Sequence, residues 1–220
     1  MNRQYLKVID HTLLRHDATE ADVENCCKEA VGFGFYSVIV QPYYIGLARK
    51  LLKGSGVLCG TVIGFPFGAE TTDVKCFQAE RAIEKGAQEL DMVICMPSFK
   101  NKNYADTEND IRQSVKFGVP VKVIIETSLL SEEEIITASK ICIGGGAAFV
   151  KTSTGYFGGG ATAENIKFIK KTVGDKIKIK AAGGIRTIED LITMLRCGAD
   201  RIGTSGGVKI AQGLISLKEY

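Results

Sequence analysis

The sequence predicts an α/β protein folded as a single-domain (β/α)8 TIM barrel spanning residues 1–220. Short β-branched runs alternate with longer helical stretches, which is the pattern of βα units around a parallel sheet. The chain length of 220 residues is near the usual size of one such barrel. Gly-Ala pairs at 86–87, 146–147 and 198–199 form a weak repeat, each placed where a helix ends in a left-handed glycine before a strand.

Each predicted strand is followed by a predicted helix. The strands are predicted at 8–12, 36–41, 57–63, 89–95, 121–126, 148–152, 177–181 and 201–204. The helices are predicted at 19–31, 43–53, 71–85, 103–117, 131–143, 162–173, 187–196 and 206–213. Ser131 and Thr187 are each followed three residues later by an acidic residue, as in a capping box. An open doubly wound sheet is the alternative, but the chain lacks the glycine-rich nucleotide-binding motifs of those folds.

Composition excludes several classes of partner. The formal net charge is only +3, so bulk electrostatics points neither to nucleic acid nor to a membrane surface. The one basic stretch, residues 167–180, is interpreted as a solvated helix face that runs into a strand. No apolar run is long enough for a transmembrane helix. The seven cysteines are scattered, which indicates reduced thiols and a cytoplasmic protein.

Charged residues occur inside strands that should be almost entirely apolar. Alternation along each strand predicts which side chains point into the barrel. These are Asp91, Lys122, Glu126, Lys151, Lys178 and Lys180. A structural ion-pair network would explain Lys122, Glu126 and Lys178 as well as function would. For Lys151, Lys180 and Asp91 function is favoured, because each lies near the C-terminal end of its strand, where barrel active sites are built.

Two inward lysines on adjacent strands, Lys151 and Lys180, suit amine chemistry. A neighbouring cation and partial desolvation lower the pKa of a lysine and free its amine. A free amine attacks an aldehyde or ketone, and the resulting imine accepts electrons when the neighbouring C–C bond is made or broken. Asp91 could transfer the protons. We expect no metal and no cofactor, because the two histidines, His11 and His16, lie in one segment and the cysteines are not clustered.

Glycine-rich segments follow the seventh and eighth predicted strands, where barrels often bind phosphate. Glycines let the backbone approach an anion, and exposed N–H groups near a helix start favour it. The candidate phosphate-binding residues are Gly183, Gly184, Gly203, Thr204 and Ser205, the last two as hydroxyl donors. The loop at 158–160 is either a mobile substrate loop or a flexible connection.

Five segments carry a resemblance to a known family. Residues 149–155 read F-V-K-T-S-T-G and residues 180–187 read K-A-A-G-G-I-R-T. With D-H-T at 10–12, L-D-M-V-I at 90–94 and K-V-I-I-E-T at 122–127, they closely resemble the deoxyribose-phosphate aldolase family. The resemblance spans almost the whole chain. It implies reversible cleavage of 2-deoxy-D-ribose 5-phosphate to acetaldehyde and D-glyceraldehyde 3-phosphate, in deoxyribonucleotide catabolism.

The resemblance also implies a role for individual residues. Lys151 would form the Schiff base, Lys180 would lower its pKa and exchange protons, and Asp91 would take part in proton transfer. Gly155 would join the glycine and Thr204–Ser205 segments in substrate binding. The surrounding polar network would contain Asp10, Thr12 and Lys122. Some family members use a C-terminal tyrosine in proton transfer, a position that Tyr220 would hold here.

Three positions depart from the family pattern. Ile39 stands where a cysteine is frequent, Cys95 where asparagine is usual, and Gly206 where a second serine often occurs. These departures concern substrate fit and phosphate affinity, since none removes a predicted catalytic group.

Two other functions remain open at the level of sequence. One is an isomerase or synthase barrel that uses Asp91 as a base. The other is a sugar-phosphate sensor without catalysis, which would gain little from a neutral buried amine. The expected partners are a small sugar phosphate and aldehydes, with neither nucleic acid nor membrane, and a homodimer is left open.

Overall fold

The computed structural model describes residues 3–216, in which the predicted strands form one closed parallel barrel. The strands are β1 (Ile9–Leu13), β2 (Ser37–Val40), β3 (Leu58–Ile63), β4 (Glu89–Val93), β5 (Val121–Ile124), β6 (Phe149–Lys151), β7 (Lys178–Ala182) and β8 (Arg201–Thr204). Each strand pairs with the next, and β8 pairs with β1. The predicted fold class is therefore confirmed. The predicted domain ends, residues 1–2 and 217–220, lie outside the described part of the chain.

Helices connect the strands and form the outer layer. They are α1 (Glu20–Phe33), α2 (Ile45–Leu51), α3 (Thr72–Glu84), α4 (Met96–Lys100), α5 (Tyr104–Val115), α6 (Glu132–Gly144), α7 (Ala163–Val173), α8 (Ile188–Arg196) and α9 (Gly207–Ser216). The predicted helices are all present, with ends displaced by a few residues at most. Helix α4 was not predicted, since no element was assigned to residues 96–102 between the fourth strand and the following helix. Within residues 3–216, no helix is long and apolar enough to span a bilayer.

The apolar core lies between the barrel and the helices. Alternate strand residues such as Val38, Met92 and Ile179 point outward and are completely buried in it. The residues between them point into the barrel, where charged side chains replace the usual apolar filling. The fold thus separates an apolar outer layer from a charged interior.

Local signals in the sequence explain how the helices start and end. The capping boxes predicted at Ser131 and Thr187 are present, and an unpredicted third box starts α1 at Thr19. The glycine of each Gly-Ala pair is left-handed, with φ of 105° at Gly86 and 111° at Gly198. After α3 the Gly86 N–H donates to the Ile83 carbonyl at 2.8 Å, which closes the helix before β4 begins.

Two of the inward predictions need correction. Lys178 is exposed, because it is the first residue of β7 and lies at the N-terminal opening of the barrel; its ammonium is 5.8 Å from the Phe149 ring centroid. Glu126 is buried, but it lies beyond the end of β5 in a left-handed conformation with φ of 52°. Its carboxylate accepts a hydrogen bond from the Thr154 N–H at 2.9 Å, so it joins two loops.

Candidate active site

Asp91 on β4 is the centre of the barrel interior. Its Oδ2 atom accepts hydrogen bonds from Lys151 Nζ at 2.7 Å and Lys180 Nζ at 2.8 Å. Its Oδ1 atom accepts one from Lys122 Nζ at 3.1 Å. All four side chains are buried. The structure therefore brings together the two lysines and the aspartate that the sequence analysis selected, with Lys122 beside them.

A second buried carboxylate, Asp10 on β1, continues this network. Lys180 Nζ lies 2.5 Å from Asp10 Oδ2, and Arg201 Nη1 lies 2.8 Å from Asp10 Oδ1. The Ser37 hydroxyl donates to the same Oδ1 atom at 2.7 Å. Lys122 is farther away, at 3.8 Å from Asp10 Oδ2. Asp10 thus links Lys180 to the opposite, N-terminal end of the barrel.

Sequence reasoning missed three members of this network: Ser37, Glu89 and Arg201. Glu89 Oε2 accepts a hydrogen bond from Lys122 Nζ at 2.9 Å and lies 3.5 Å from Arg201 Nη1. A signal was available for Glu89, because it precedes Asp91 by two residues and must face the same side of β4. Arg201 likewise alternates with the apolar Ile202, but it starts its strand, where active-site residues are not expected.

We call the ion-paired groups of the barrel the interior charge cluster. Its members are Asp10, Glu89, Asp91, Lys122, Lys151, Lys180 and Arg201. Within the described part of the chain, three carboxylates therefore face four cations. Because unbalanced buried charge is costly, the cluster favours loss of one proton. Among its lysines Lys151 contacts one carboxylate, Lys180 two and Lys122 three, so Lys151 gives up its proton most readily.

The electrostatic environment agrees with that ranking. Burial, with the nearby charges of Lys180 and Lys122, lowers the pKa of Lys151 to about 8 against the opposing effect of Asp91. Burial also acts to lower the pKa of Lys122, but Asp91, Asp10 and Glu89 outweigh it and the pKa is raised. Lowering the pKa of Lys151 from 10.5 to about 8 increases the neutral fraction of its amine at pH 7 about 300-fold.

Lys151 lines a cavity of about 520 Å³ at the C-terminal ends of the strands. This volume suits a small metabolite. The predicted binding residues line it together, and Thr12, predicted as a supporting residue, lines it with them: Gly155, Gly183, Gly184, Gly203, Thr204 and Ser205. Arg15, His16 and Arg186 also line it, and they were not selected from the sequence. One cavity therefore contains both the candidate nucleophile and the candidate phosphate site.

The glycines of the candidate phosphate site have distinct structural causes. Gly183 and Gly184 are left-handed, with φ of 87° and 77°. A Cβ atom on Gly183 would also lie 3.0 Å from the Gly160 Cα atom, so the loop after β6 packs directly on the loop after β7. A Cβ atom on Gly203 would lie 2.9 Å from Lys180 Cε. Glycine at 203 thus makes room for a lysine of the interior charge cluster as well as lining the cavity.

The two hydroxyl groups between β8 and α9, on Thr204 and Ser205, differ in whether they can donate a hydrogen bond to a ligand. The Thr204 hydroxyl donates to the Ile185 carbonyl at 2.7 Å and accepts from the Gly206 N–H at 2.8 Å. Its proton is therefore engaged within the protein, contrary to its expected use as a donor to the ligand. Ser205 is exposed to the cavity and keeps that role as a candidate.

The β6–α7 loop forms one wall of the cavity. The Tyr156 hydroxyl donates to the Leu14 carbonyl at 2.7 Å, and its ring meets Phe65 edge-on at 5.2 Å between centroids. At the far end of the loop, the Ala161 N–H donates to the Gly183 carbonyl at 3.1 Å. The glycine segment at 158–160 is therefore held between two anchored points.

The remaining sequence predictions fall in different places. Ile39 is buried with Leu14 and Val62 in a small apolar group separate from the main core. Cys95 immediately precedes α4 and is partly buried. Tyr220 lies outside the described residues. Across residues 3–216, no three His, Cys, Asp or Glu side chains form a group suited to hold a metal ion.

Comparison with known proteins identifies the family. A family model described as DeoC/LacD family aldolase matches residues 5–219. This chain belongs to that family of aldolases. The deoxyribose-phosphate aldolase of Staphylococcus saprophyticus subsp. saprophyticus is 49% identical to it over 218 residues, which is 98% of this chain and 99% of that protein.

Solved structures agree with the assignment of this chain to the aldolase family. The structure of "QR15, an Aldolase" has a TM-score of 0.94 at 40% identity, over 98% of this chain and 97% of that one. The tetrameric deoxyribose phosphate aldolase of Aeropyrum pernix has a TM-score of 0.90 at 32% identity, over 98% of this chain and 92% of that one. The chain is thus an enzyme of the carbon–carbon lyase class, which favours aldolase chemistry over the isomerase and sensor alternatives.

Proposed function

We propose that this aldolase reversibly cleaves 2-deoxy-D-ribose 5-phosphate to acetaldehyde and D-glyceraldehyde 3-phosphate through a Schiff base on Lys151. The observation that carries the proposal is the position of Lys151, which lines the cavity and whose amine donates a hydrogen bond to Asp91 at 2.7 Å. A pKa of about 8 makes this amine an available nucleophile. Curated relatives that share about half of the sequence are named deoxyribose-phosphate aldolases.

The reaction begins with attack of the neutral Lys151 amine on the aldehyde carbon, C1, of the open-chain sugar. Protonation of the carbinolamine hydroxyl and loss of water then give a protonated imine. When the C3 hydroxyl loses its proton, the C2–C3 bond breaks and its electron pair moves to C2, which forms an enamine as D-glyceraldehyde 3-phosphate leaves. Protonation at C2 and hydrolysis then release acetaldehyde and restore the amine.

Asp91 and Lys180 are proposed to move the protons. Asp91 Oδ2 is within hydrogen-bond distance of both lysine Nζ atoms, so one carboxylate can exchange protons with either amine. Lys180 is completely buried and ion-paired with Asp10 as well as with Asp91. It is therefore a weaker candidate nucleophile than Lys151, and its charge lowers the pKa of Lys151.

The phosphate would lie at the end of the cavity lined by the β7 and β8 loops. Gly183, Gly184 and Gly203 give the anion access to the backbone, and Ser205 supplies a hydroxyl. Gly155 and Arg186 complete this part of the lining. A sugar phosphate that reaches from these loops to Lys151 would place its aldehyde near the amine.

Asp10, Thr12 and Lys122 are proposed to support the site. Asp10 and Lys122 hold Lys180 and Asp91 through the ion pairs of the interior charge cluster. Thr12 donates to the Asp10 carbonyl at 2.9 Å and lines the cavity. No cofactor enters this reaction. We place the enzyme in deoxyribonucleotide catabolism in the cytoplasm, acting on small sugar phosphates and aldehydes, with association into a homodimer left open.

Turnover of 2-deoxyribose 5-phosphate by the purified chain tests this function. We expect NMR to show acetaldehyde and D-glyceraldehyde 3-phosphate in equal amounts, and slower cleavage of unphosphorylated 2-deoxyribose. Lys151→Met should lower kcat/KM by about a thousandfold or more, because it removes the proposed nucleophile and Lys180 is a weaker candidate to replace it. Lys178→Met is the matched control, since Lys178 is exposed at the opposite end of the barrel.

Full activity in Lys151→Met would contradict the proposed nucleophile. Equal cleavage of the phosphorylated and unphosphorylated sugars would contradict the proposed phosphate site. The two results are independent of each other.

A further inference from the structure

Arg201 is a buried cation at the N-terminal end of β8, whereas the cavity lies at the C-terminal ends of the strands. The centre of its guanidinium lies 3.3 Å from the Tyr36 ring centroid and 5.4 Å from the Phe149 ring centroid. Its Nη1 atom is 2.8 Å from Asp10 Oδ1 and 3.5 Å from Glu89 Oε2. Arg201 does not line the cavity, so it has no direct part in the proposed reaction.

A continuous chain of ion pairs connects Arg201 to Lys151. Asp10 pairs with Arg201 on one oxygen and with Lys180 on the other, at 2.8 Å and 2.5 Å. Lys180 and Lys151 then share Asp91 Oδ2, at 2.8 Å and 2.7 Å. Because these groups are buried, their charges are screened far less than they would be at the surface.

Arg201 differs from the other cations of the cluster in one chemical respect. A guanidinium does not lose its proton in a protein, whereas a lysine ammonium does. Arg201 is therefore a fixed charge, and the excess positive charge of the cluster must be relieved at a lysine. Lys151, which contacts a single carboxylate among the described residues, is the lysine least able to keep its proton.

We propose that Arg201 is a positioning residue for imine formation, which acts through Asp10 and Lys180 to favour the neutral form of the Lys151 amine. The proposal rests on the proposed Schiff-base function. Without Arg201, three cations would face three carboxylates while Lys151 is protonated, and the electrostatic reason to release that proton would disappear. With Arg201, the charges balance only when one lysine is neutral, and Lys151 is the lysine least able to keep its proton.

Other charged groups near Lys151 must stay constant in any test. Asp91, Lys122 and Lys180 face it inside the barrel, and Arg15, His16 and Arg186 line the same cavity. Glu89 is the useful second position, because it belongs to the cluster but touches Lys122 and Arg201 instead of Lys151. Removing the negative charge of Glu89 should make Lys151 release its proton more readily, whereas removing the positive charge of Arg201 should make it release the proton less readily.

The test is the pH dependence of kcat/KM for cleavage of 2-deoxyribose 5-phosphate by the full chain. The acid limb reports the free enzyme's essential base. Arg201→Met should move this limb upward by about one pH unit, which is about a tenfold loss of kcat/KM below the limb. Arg201→Lys, which can keep the charge, should move it by less than half as much.

Glu89→Gln supplies the opposing arm of the experiment. We expect it to move the acid limb downward, and the double variant Arg201→Met with Glu89→Gln to return toward the wild type, because the charge balance is restored. A merely structural role for Arg201 would lower activity in these variants without this opposing pair of shifts.

Each outcome decides the inference. An acid limb in Arg201→Met at the wild-type position would overturn it. If circular dichroism shows that Arg201→Met does not fold, Glu89→Gln decides alone: a downward shift supports the inference and an unmoved limb overturns it. If borohydride with acetaldehyde fails to label Lys151 in the wild type, the proposed function fails instead, and the two failures are thus distinguishable.

Discussion

Asp91 is the side chain on which most of the site depends, since it hydrogen-bonds Lys122, Lys151 and Lys180 together. Burial acts to raise its pKa, but Lys122, Lys151 and Lys180 outweigh burial and hold the pKa well below 3.8. Asp91 is therefore an anion at every pH at which the enzyme would work. Its ion pairs stabilise the fold at pH values above the pKa that Asp91 has in the unfolded chain. This contribution is lost as the pH falls below about 4.

Replacement of Asp91 by asparagine should destabilise the protein strongly. The variant leaves buried ammonium groups without their shared partner, a change that typically costs about 3–5 kcal/mol of unfolding free energy. Denaturant unfolding at pH 7 measures it. Asp17→Asn is the control, because Asp17 is exposed beside Arg15 and its loss should leave the midpoint unchanged. Equal stability of Asp91→Asn and the wild type would contradict the described ion pairs.

At the level of residues, alternation along the strands predicted which way a side chain points better than it predicted whether that side chain is buried. It placed Lys151, Lys180 and Asp91 correctly inside the barrel. It gave Lys178 the same direction, but the position of a residue along its strand decides whether it is buried, and Lys178 lies at the open end. Arg201 shows the converse, since it also starts a strand yet is covered by Tyr36 and Phe149. That cover comes from distant parts of the chain and is not visible in a local pattern.

The β6–α7 loop is the element whose position bears most directly on binding. Thr154 and Tyr156 line the cavity and are tied to other loops by hydrogen bonds to Glu126 and Leu14. Because Tyr156 is partly exposed, its hydroxyl does little for the core and mainly holds the loop against the β1–α1 segment. We expect that this contact affects substrate binding more than the chemical step.

Tyr156→Phe should therefore raise KM while kcat stays nearly unchanged. Loss of one hydrogen bond of about 0.5–1.5 kcal/mol corresponds to a rise in KM of about two- to twelvefold. Steady-state kinetics with 2-deoxyribose 5-phosphate measures both constants. Tyr43→Phe is the control, because Tyr43 is 79% exposed and does not line the cavity. An unchanged KM in Tyr156→Phe would show that the loop is held by its other contacts.

The ends of helices could be predicted from the sequence where a local capping interaction fixes them. Ser131 and Thr187 start helices because their side chains and the following acids satisfy free N–H groups. Helix α4 was not predicted because it has only five residues, too few to show a helical pattern of apolar positions, although Pro97 in its first turn is a typical helix-start signal. Short elements of this kind are set by packing as much as by sequence.

Closure of the barrel is the property of the whole molecule that creates the site. The interior charge cluster draws on β1, β4, β5, β6, β7 and β8, and closure places β1 against β8. In an open sheet these two strands would lie at opposite edges, and Asp10 could not pair with both Lys180 and Arg201. The sequence predicted closure from eight repeated units, but it could not predict the charge balance, which depends on contacts between strands far apart in the chain.

Chemical trapping of the imine is the most direct test of the proposed reaction. The folded protein would be reduced with borohydride in the presence of acetaldehyde or 2-deoxyribose 5-phosphate, and its peptides would be examined by mass spectrometry. We predict a reduced adduct on Lys151. The absence of any adduct on a folded, substrate-bound protein would contradict Schiff-base catalysis, and an adduct on Lys180 alone would reverse the roles of the two lysines.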